Sequence, residues 1–108
     1  MVQYSTPLDT TFAALSDPTR RGILEQLGRQ SASISDLAGS FGMTLTGMRK
    51  HVRLLEDAKL VTTVKVGRVR SCSLGPRRLE GEQAWIADYQ QMVEARFDRL
   101  DEFLRRSR

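Results

Sequence analysis

Between Ile34 and Val52 the chain places a small residue, Ala38, four positions before Gly42, then resumes an apolar stripe through Met43, Met48 and Val52. Few folds accept that spacing. Two helices that cross closely need a small side chain at the crossing, a residue tolerant of positive φ to bend the chain, and apolar anchors that hold the second helix on the core. The segment therefore predicts a helix-turn-helix corner. Ser35 is the expected cap of its first helix, which carries Leu37, Ala38 and Phe41. Thr44 is the expected cap of its second, which runs to Ala58 with Met48, Val52 and Leu55 on one face.

The flanking segments fit around this corner. Leu8, Phe12 and Leu15 recur at helical spacing and predict a first helix from about Thr6-Pro7 to just before Asp17. Asp17-Pro18 offers a cap followed by proline at the first helical position, and Ile23, Leu24 and Leu27 carry a second helix to Gly28. After Leu60 the period changes to that of a strand, with VTTVKV at 61–66 and VRSCSL at 69–74. Gly67-Arg68 between them suits a type II′ turn, which joins a hairpin with the natural strand twist. Beyond Pro76, the residues Trp85, Ile86, Tyr89, Val93, Phe97, Leu100 and Leu104 keep helical spacing for about seven turns. So long an apolar stripe exceeds what a small domain can cover, so part of it is expected to meet a second copy of the chain.

Charge is distributed unevenly over the 108 residues. The net charge is +4, yet residues 45–78 hold nine basic side chains against two acidic ones, a local net of +7, while the segments on either side are slightly acidic. Such a block is either a solvated surface or a polyanion-binding face, since clustered Lys and Arg displace counterions from a phosphate backbone. On the second helix of the corner the side opposite the core presents Thr44, Leu45, Thr46, Gly47, Arg49, Lys50 and Arg53. The hairpin adds Lys65, Arg68 and Arg70. Thr44, Thr46 and Arg49 are expected to read base edges in the major groove of double-stranded DNA, and Lys50, Arg53, Lys65, Arg68 and Arg70 to hold phosphates. Gly47 costs about 1 kcal/mol in a helix, and a missing side chain there brings the backbone closer to DNA or is simple drift.

Other functions find little support in these residues. The lone cysteine, Cys72, makes neither an internal disulfide nor a paired metal or redox motif, fits a reducing compartment, and shares strand parity with Leu74, which turns it toward the core. His51 is the single histidine and is expected to pack or to hydrogen-bond. No GxGxxG, Walker loop, HExxH or Ser/His/Asp set occurs, so an enzyme ranks behind a DNA-binding protein and behind a winged-helix module that only docks proteins. Asp88, Glu94, Asp98, Asp101 and Glu102 alternate with Arg96, Arg99 and Arg105, the pattern of a salt-bridged solvated face rather than a metal site. The opening residues lack the pattern of a signal peptide and no stretch is apolar enough to span a bilayer, so a cytoplasmic protein without membrane attachment or cofactor is expected.

With these pieces in order, ALSDPTRRGIL at 14–24, SISDLAGSFGM at 33–43, RKHVRLLEDAKLV at 49–61 and the turn Gly67-Arg68 leading to Ser73-Leu74, the chain resembles the ArsR/SmtB family of winged helix-turn-helix repressors along nearly its whole length. The resemblance implies a mainly α fold with a β-hairpin wing, a homodimer joined by its first and last helices, and repression at an inverted-repeat operator until a signal releases it. A single domain over 1–108 is expected, with DNA read by about 33–75 and dimerisation through helices at about 6–16 and 77–106. The dimer seam would use Leu8, Phe12, Trp85, Tyr89, Val93, Phe97 and Leu100. Metal-sensing members carry cysteines before the turn or acid and histidine ligands along the last helix. Residues 35–41 hold no cysteine and the last helix holds no histidine, so no metal is expected, and the residues specify no effector. Lys59 stands where relatives often have a helix-ending glycine, and is expected to be strained in a left-handed cap.

Overall fold

The computed structural model describes residues 6–107. Its elements are α1 (Thr6–Leu15), α2 (Pro18–Leu27), β1 (Ala32–Ser33), α3 (Ile34–Ser40), α4 (Leu45–Asp57), β2 (Val61–Val66), β3 (Val69–Leu74) and α5 (Glu80–Arg106). They fall into two compact units divided between Arg78 and Leu79.

In the first unit, α2 starts as its sequence dictates. The Asp17 carboxylate accepts the Arg20 backbone N–H at 3.0 Å and Pro18 takes the first helical position. That hydrogen bond first, and the Arg20 charge nearby after it, hold the Asp17 carboxyl below its ordinary pKa. Arginines then close the end of α1. Arg20 donates from Nε to Ala14 O at 2.8 Å and from Nη2 to Ala13 O at 3.1 Å, and Arg21 Nη1 donates to Leu15 O at 2.6 Å. Ala13 O also accepts the Ser16 N–H at 3.2 Å and the Ser16 hydroxyl at 2.6 Å, and the cations complete the pairing of these last carbonyls while countering the negative end of the helix dipole.

The start of α3 differs from expectation. Its cap is Ser33 rather than Ser35: Ser33 Oγ accepts the Asp36 N–H at 3.0 Å, and Asp36 Oδ2 accepts the Ser33 N–H at 3.4 Å. Both serines are chemically able to cap, but only Ser33 has a carboxylate three residues on to return the bond and complete a capping box. Ser33 also belongs to β1, a two-residue strand that pattern reading does not detect. Ala32 pairs with Cys72 and Ser33 with Ser71, so the hairpin gains a third antiparallel strand in the order β1-β3-β2.

The core lies where the first-unit helices meet this sheet. Ile23, Leu37, Met48, Leu55 and Cys72 are fully buried, and Ala38, Val52 and Val61 nearly so. Burying each large side chain contributes about 1.5–3 kcal/mol. Gly42 takes φ +61 in the turn between α3 and α4, as the spacing from Ala38 requires. The wing has the expected register, Val66 opposite Val69 across Gly67-Arg68. Gly67 has φ +63 while Arg68 stays at negative φ, which is the combination of a type II′ turn and not of type I′.

The second unit is α5, 27 residues and about 40 Å long at 1.5 Å per residue. It begins three residues later than the sequence suggests, because Leu79 adopts the left-handed conformation at φ 60 and Arg77 is engaged elsewhere, donating to Thr11 Oγ1 at 2.7 Å. Arg105 pairs with Asp101 and Arg106 with Glu102, each at 2.7 Å and one turn apart, on a solvated face. Trp85 and Tyr89 stack with ring centroids 5.7 Å apart. Trp85, Ile86, Tyr89, Phe97, Leu100 and Leu104 are all exposed, and Val93 is half-buried. Among the described residues, no helix is long and apolar enough to cross a membrane.

Candidate nucleic-acid interface

The polar side of α4 follows from its buried one. With Met48, Val52 and Leu55 fixed in the core, Thr44, Leu45, Thr46, Arg49, Lys50 and Arg53 are left exposed. The Thr44 hydroxyl oxygen accepts the Gly47 N–H at 3.1 Å and so caps the helix. This use of Thr44 is structural, and its O–H remains available as a donor. Gly47 has a local reason as well. A Cβ there would lie 3.2 Å from Thr44 Oγ1 and 3.3 Å from Met43 Cε, so any side chain would press on the cap and on the methionine that seats the turn.

The wing folds back toward this end of α4 and encloses a cleft of about 440 Å³. Leu45 and Arg49 form one wall, Lys65, Arg68 and Arg70 another, and Ser33 and Ser35 at the start of α3 close the end. Five of the ten expected DNA contacts are thereby brought together, whereas Thr44, Thr46, Gly47, Lys50 and Arg53 lie outside the cleft. Among the described residues, no acidic side chain lines it. Four cations facing one hollow repel each other, and an anion placed there relieves the repulsion, so the cleft is electrostatically prepared for phosphate.

Several contacts whose partners the sequence does not reveal position this arrangement. Thr63 Oγ1 donates to Glu56 Oε2 at 2.5 Å and accepts from Arg70 Nη1 at 3.1 Å. This relay ties the last turn of α4 to both wing strands. His51 is half-buried, with its Nδ1 3.3 Å from Arg20 Nη1. It therefore links α4 to the corner between α1 and α2 instead of facing outward. Only the register between elements reveals these pairs.

Cys72 is fully buried, and that burial pushes its thiol pKa above the ordinary value, leaving the sulfur protonated and unreactive. Among the described residues, no group of three or more His, Cys, Asp or Glu side chains is placed to hold a metal ion.

Comparison with known proteins agrees with this geometry. A family model described as a helix-turn-helix domain matches residues 15–64, which span α2 through most of β2. A curated relative, the transcriptional repressor SdpR of Bacillus subtilis, is 27% identical over 82 residues, covering 76% of this chain and 91% of the repressor. A solved winged helix-turn-helix DNA-binding domain from Mycobacterium bovis, described as homodimeric, is 20% identical with a TM-score of 0.61, covers 88% of this chain and 91% of its own, and shares the fold. A crystal structure of an ArsR family transcriptional regulator is 41% identical with a TM-score of 0.77, over 87% of this chain and 97% of its own. With that identity over most of both chains, and with a helix-turn-helix and wing built as described above, the chain belongs to the ArsR/SmtB family of winged helix-turn-helix transcriptional regulators and is a DNA-binding regulator.

Proposed function

We propose that the protein is a homodimeric repressor that binds an inverted-repeat operator in the cytoplasm, each copy laying α4 in the major groove with its wing on the adjoining backbone. The observation that carries this reading is the acid-free cleft in which Arg49 of α4 meets Lys65, Arg68 and Arg70 of the wing. Arg49 and Thr46 read base edges, with Leu45 and Gly47 close to the bases and Thr44 giving its O–H from the cap. Lys50, Arg53, Lys65, Arg68 and Arg70 hold phosphates. The exposed stripe of α5 through Trp85, Tyr89, Phe97 and Leu100, continued by Val93, supports pairing of two copies, with Leu8 and Phe12 of α1 contributing. The relative described as homodimeric supports the same assembly.

Selection of bound sequences from random duplexes tests the proposal. A palindrome is expected, with half-sites one helical turn apart, about 34 Å. Arg49→Ala should relax preference at one position and cost about 1–3 kcal/mol there, whereas Arg68→Ala should weaken every sequence alike. A protein without affinity for any duplex at low salt would instead be a module that docks proteins.

A further inference from the structure

Leu45 is out of character with its surroundings. It is the first residue of α4, 44% exposed, and lines the cationic cleft between Arg49 and the wing. The core stripe of the helix begins only at Met48, so nothing in the packing of α4 requires a leucine one turn earlier. Single exposed apolar residues are common on surfaces, but this one stands on the same flank as Arg49, one turn away, where side chains at i and i+4 lie beside each other.

In the major groove A·T pairs alone present an apolar group, the C5-methyl of thymine, while guanine offers the paired acceptors that suit an arginine fork. We infer that Leu45 reads the C5-methyl of a thymine next to the base that Arg49 contacts. The inference rests on the reading of α4 as the helix in the major groove, and it makes the side-by-side pair Leu45 and Arg49 a reader of two neighbouring base pairs. Removing one methyl from such a contact costs about three- to fivefold in affinity per half-site.

The experiment uses the full chain and the operator recovered from random duplexes, with each thymine replaced in turn by deoxyuridine, which deletes the methyl and leaves base pairing intact. At one thymine per half-site the wild type should lose three- to fivefold, and Leu45→Ala should bind the thymine and uracil duplexes equally. Leu45→Gln should move the preference at that position toward adenine, and thermal unfolding confirms that both variants are folded. Wild type that tolerates uracil at every position, or a uracil penalty unchanged in Leu45→Ala, overturns the inference while operator binding leaves the proposed function standing. Failure to bind any duplex overturns both.

Discussion

At the end of α3, Gly42 takes φ +61, the Met43 N–H donates to Ala38 O at 2.9 Å, and the Gly42 N–H donates to Gly39 O at 3.3 Å. At the end of α4, Lys59 takes φ 64, the Leu60 N–H donates to Leu55 O at 3.0 Å, and the Lys59 N–H donates to Glu56 O at 2.9 Å. Both are Schellman closures, identical in hydrogen bonding and different in the residue that turns left-handed. For glycine that conformation is free of steric cost, while an L side chain loses about 1–2 kcal/mol in it. The surroundings differ in the compensating direction. Space is open where a Cβ on Gly42 would sit, whereas the Lys59 turn lies against Gly75, whose own Cβ would stand 2.5 Å from Lys59 O, and the Gly75 N–H donates to Leu60 O at 2.8 Å. One turn is specified by its residue and the other by its neighbours.

Gly75→Ala tests the second half of that contrast and should have the largest effect. The new methyl meets backbone rather than a flexible side-chain end, so the Lys59 turn or β3 must shift, at a cost of about 3 kcal/mol in urea unfolding. A loss below about 1 kcal/mol would mean that the turn is not held from outside. Gly42→Ala tests the first half. It meets no atom and should cost about 1–2 kcal/mol from φ alone, with the duplex affinity of the folded protein preserved only if α4 keeps its angle.

The same contrast marks what was legible in the sequence. Gly42 stands at a fixed distance from Ala38, and both lie within one local motif, so the corner, its second cap at Thr44 and the hairpin around Gly67 could all be placed. Signals spanning three or four residues survive in a linear string. Choosing between Ser33 and Ser35 needed only the acid at Asp36, a local clue that the apolar spacing obscured. The strand at Ala32-Ser33 has no period to detect, and its partner is Cys72, far along the chain. The cationic residues of the interface were visible as a block of charge. That Arg49 faces Lys65, Arg68 and Arg70 while Lys50 and Arg53 do not depends on how the wing stands on α4, to which the relay from Glu56 through Thr63 to Arg70 links it. No spacing rule carries that placement.

Lys59→Gly sharpens the comparison by making the two helix ends alike. Relief of the left-handed strain is partly offset by the greater freedom of glycine in the unfolded chain, so a gain of about 0.5–1 kcal/mol is expected in urea unfolding. The substitution also removes an exposed charge from the cationic block. If Lys59 meets phosphate, the slope of log affinity against log salt should fall by about 1. A gain in stability with an unchanged slope would confine Lys59 to the turn, and no gain at all would show that its neighbours already absorb the strain.

The starts of the helices give the smallest and most local test, because there too one geometry is built from two chemistries. Asp17 accepts the Arg20 N–H at 3.0 Å and Thr44 accepts the Gly47 N–H at 3.1 Å, each three residues on. Only the first cap titrates. Its carboxyl is held below the ordinary value by the Arg20 backbone hydrogen bond first and by nearby positive charge after it. A folded pKa below the unfolded one contributes stability above the usual carboxylate pKa, about 4, and that contribution is lost as the pH falls through the folded value. Amide exchange protection at Arg20 should therefore drop on acidification while that at Gly47 holds. Asp17→Asn keeps a capping oxygen without the charge and should make protection at Arg20 insensitive to pH over the same range. Parallel loss at both amides would mean that acid opens the unit as a whole, and that the charge on Asp17 has no local role in holding α2 to its first turn.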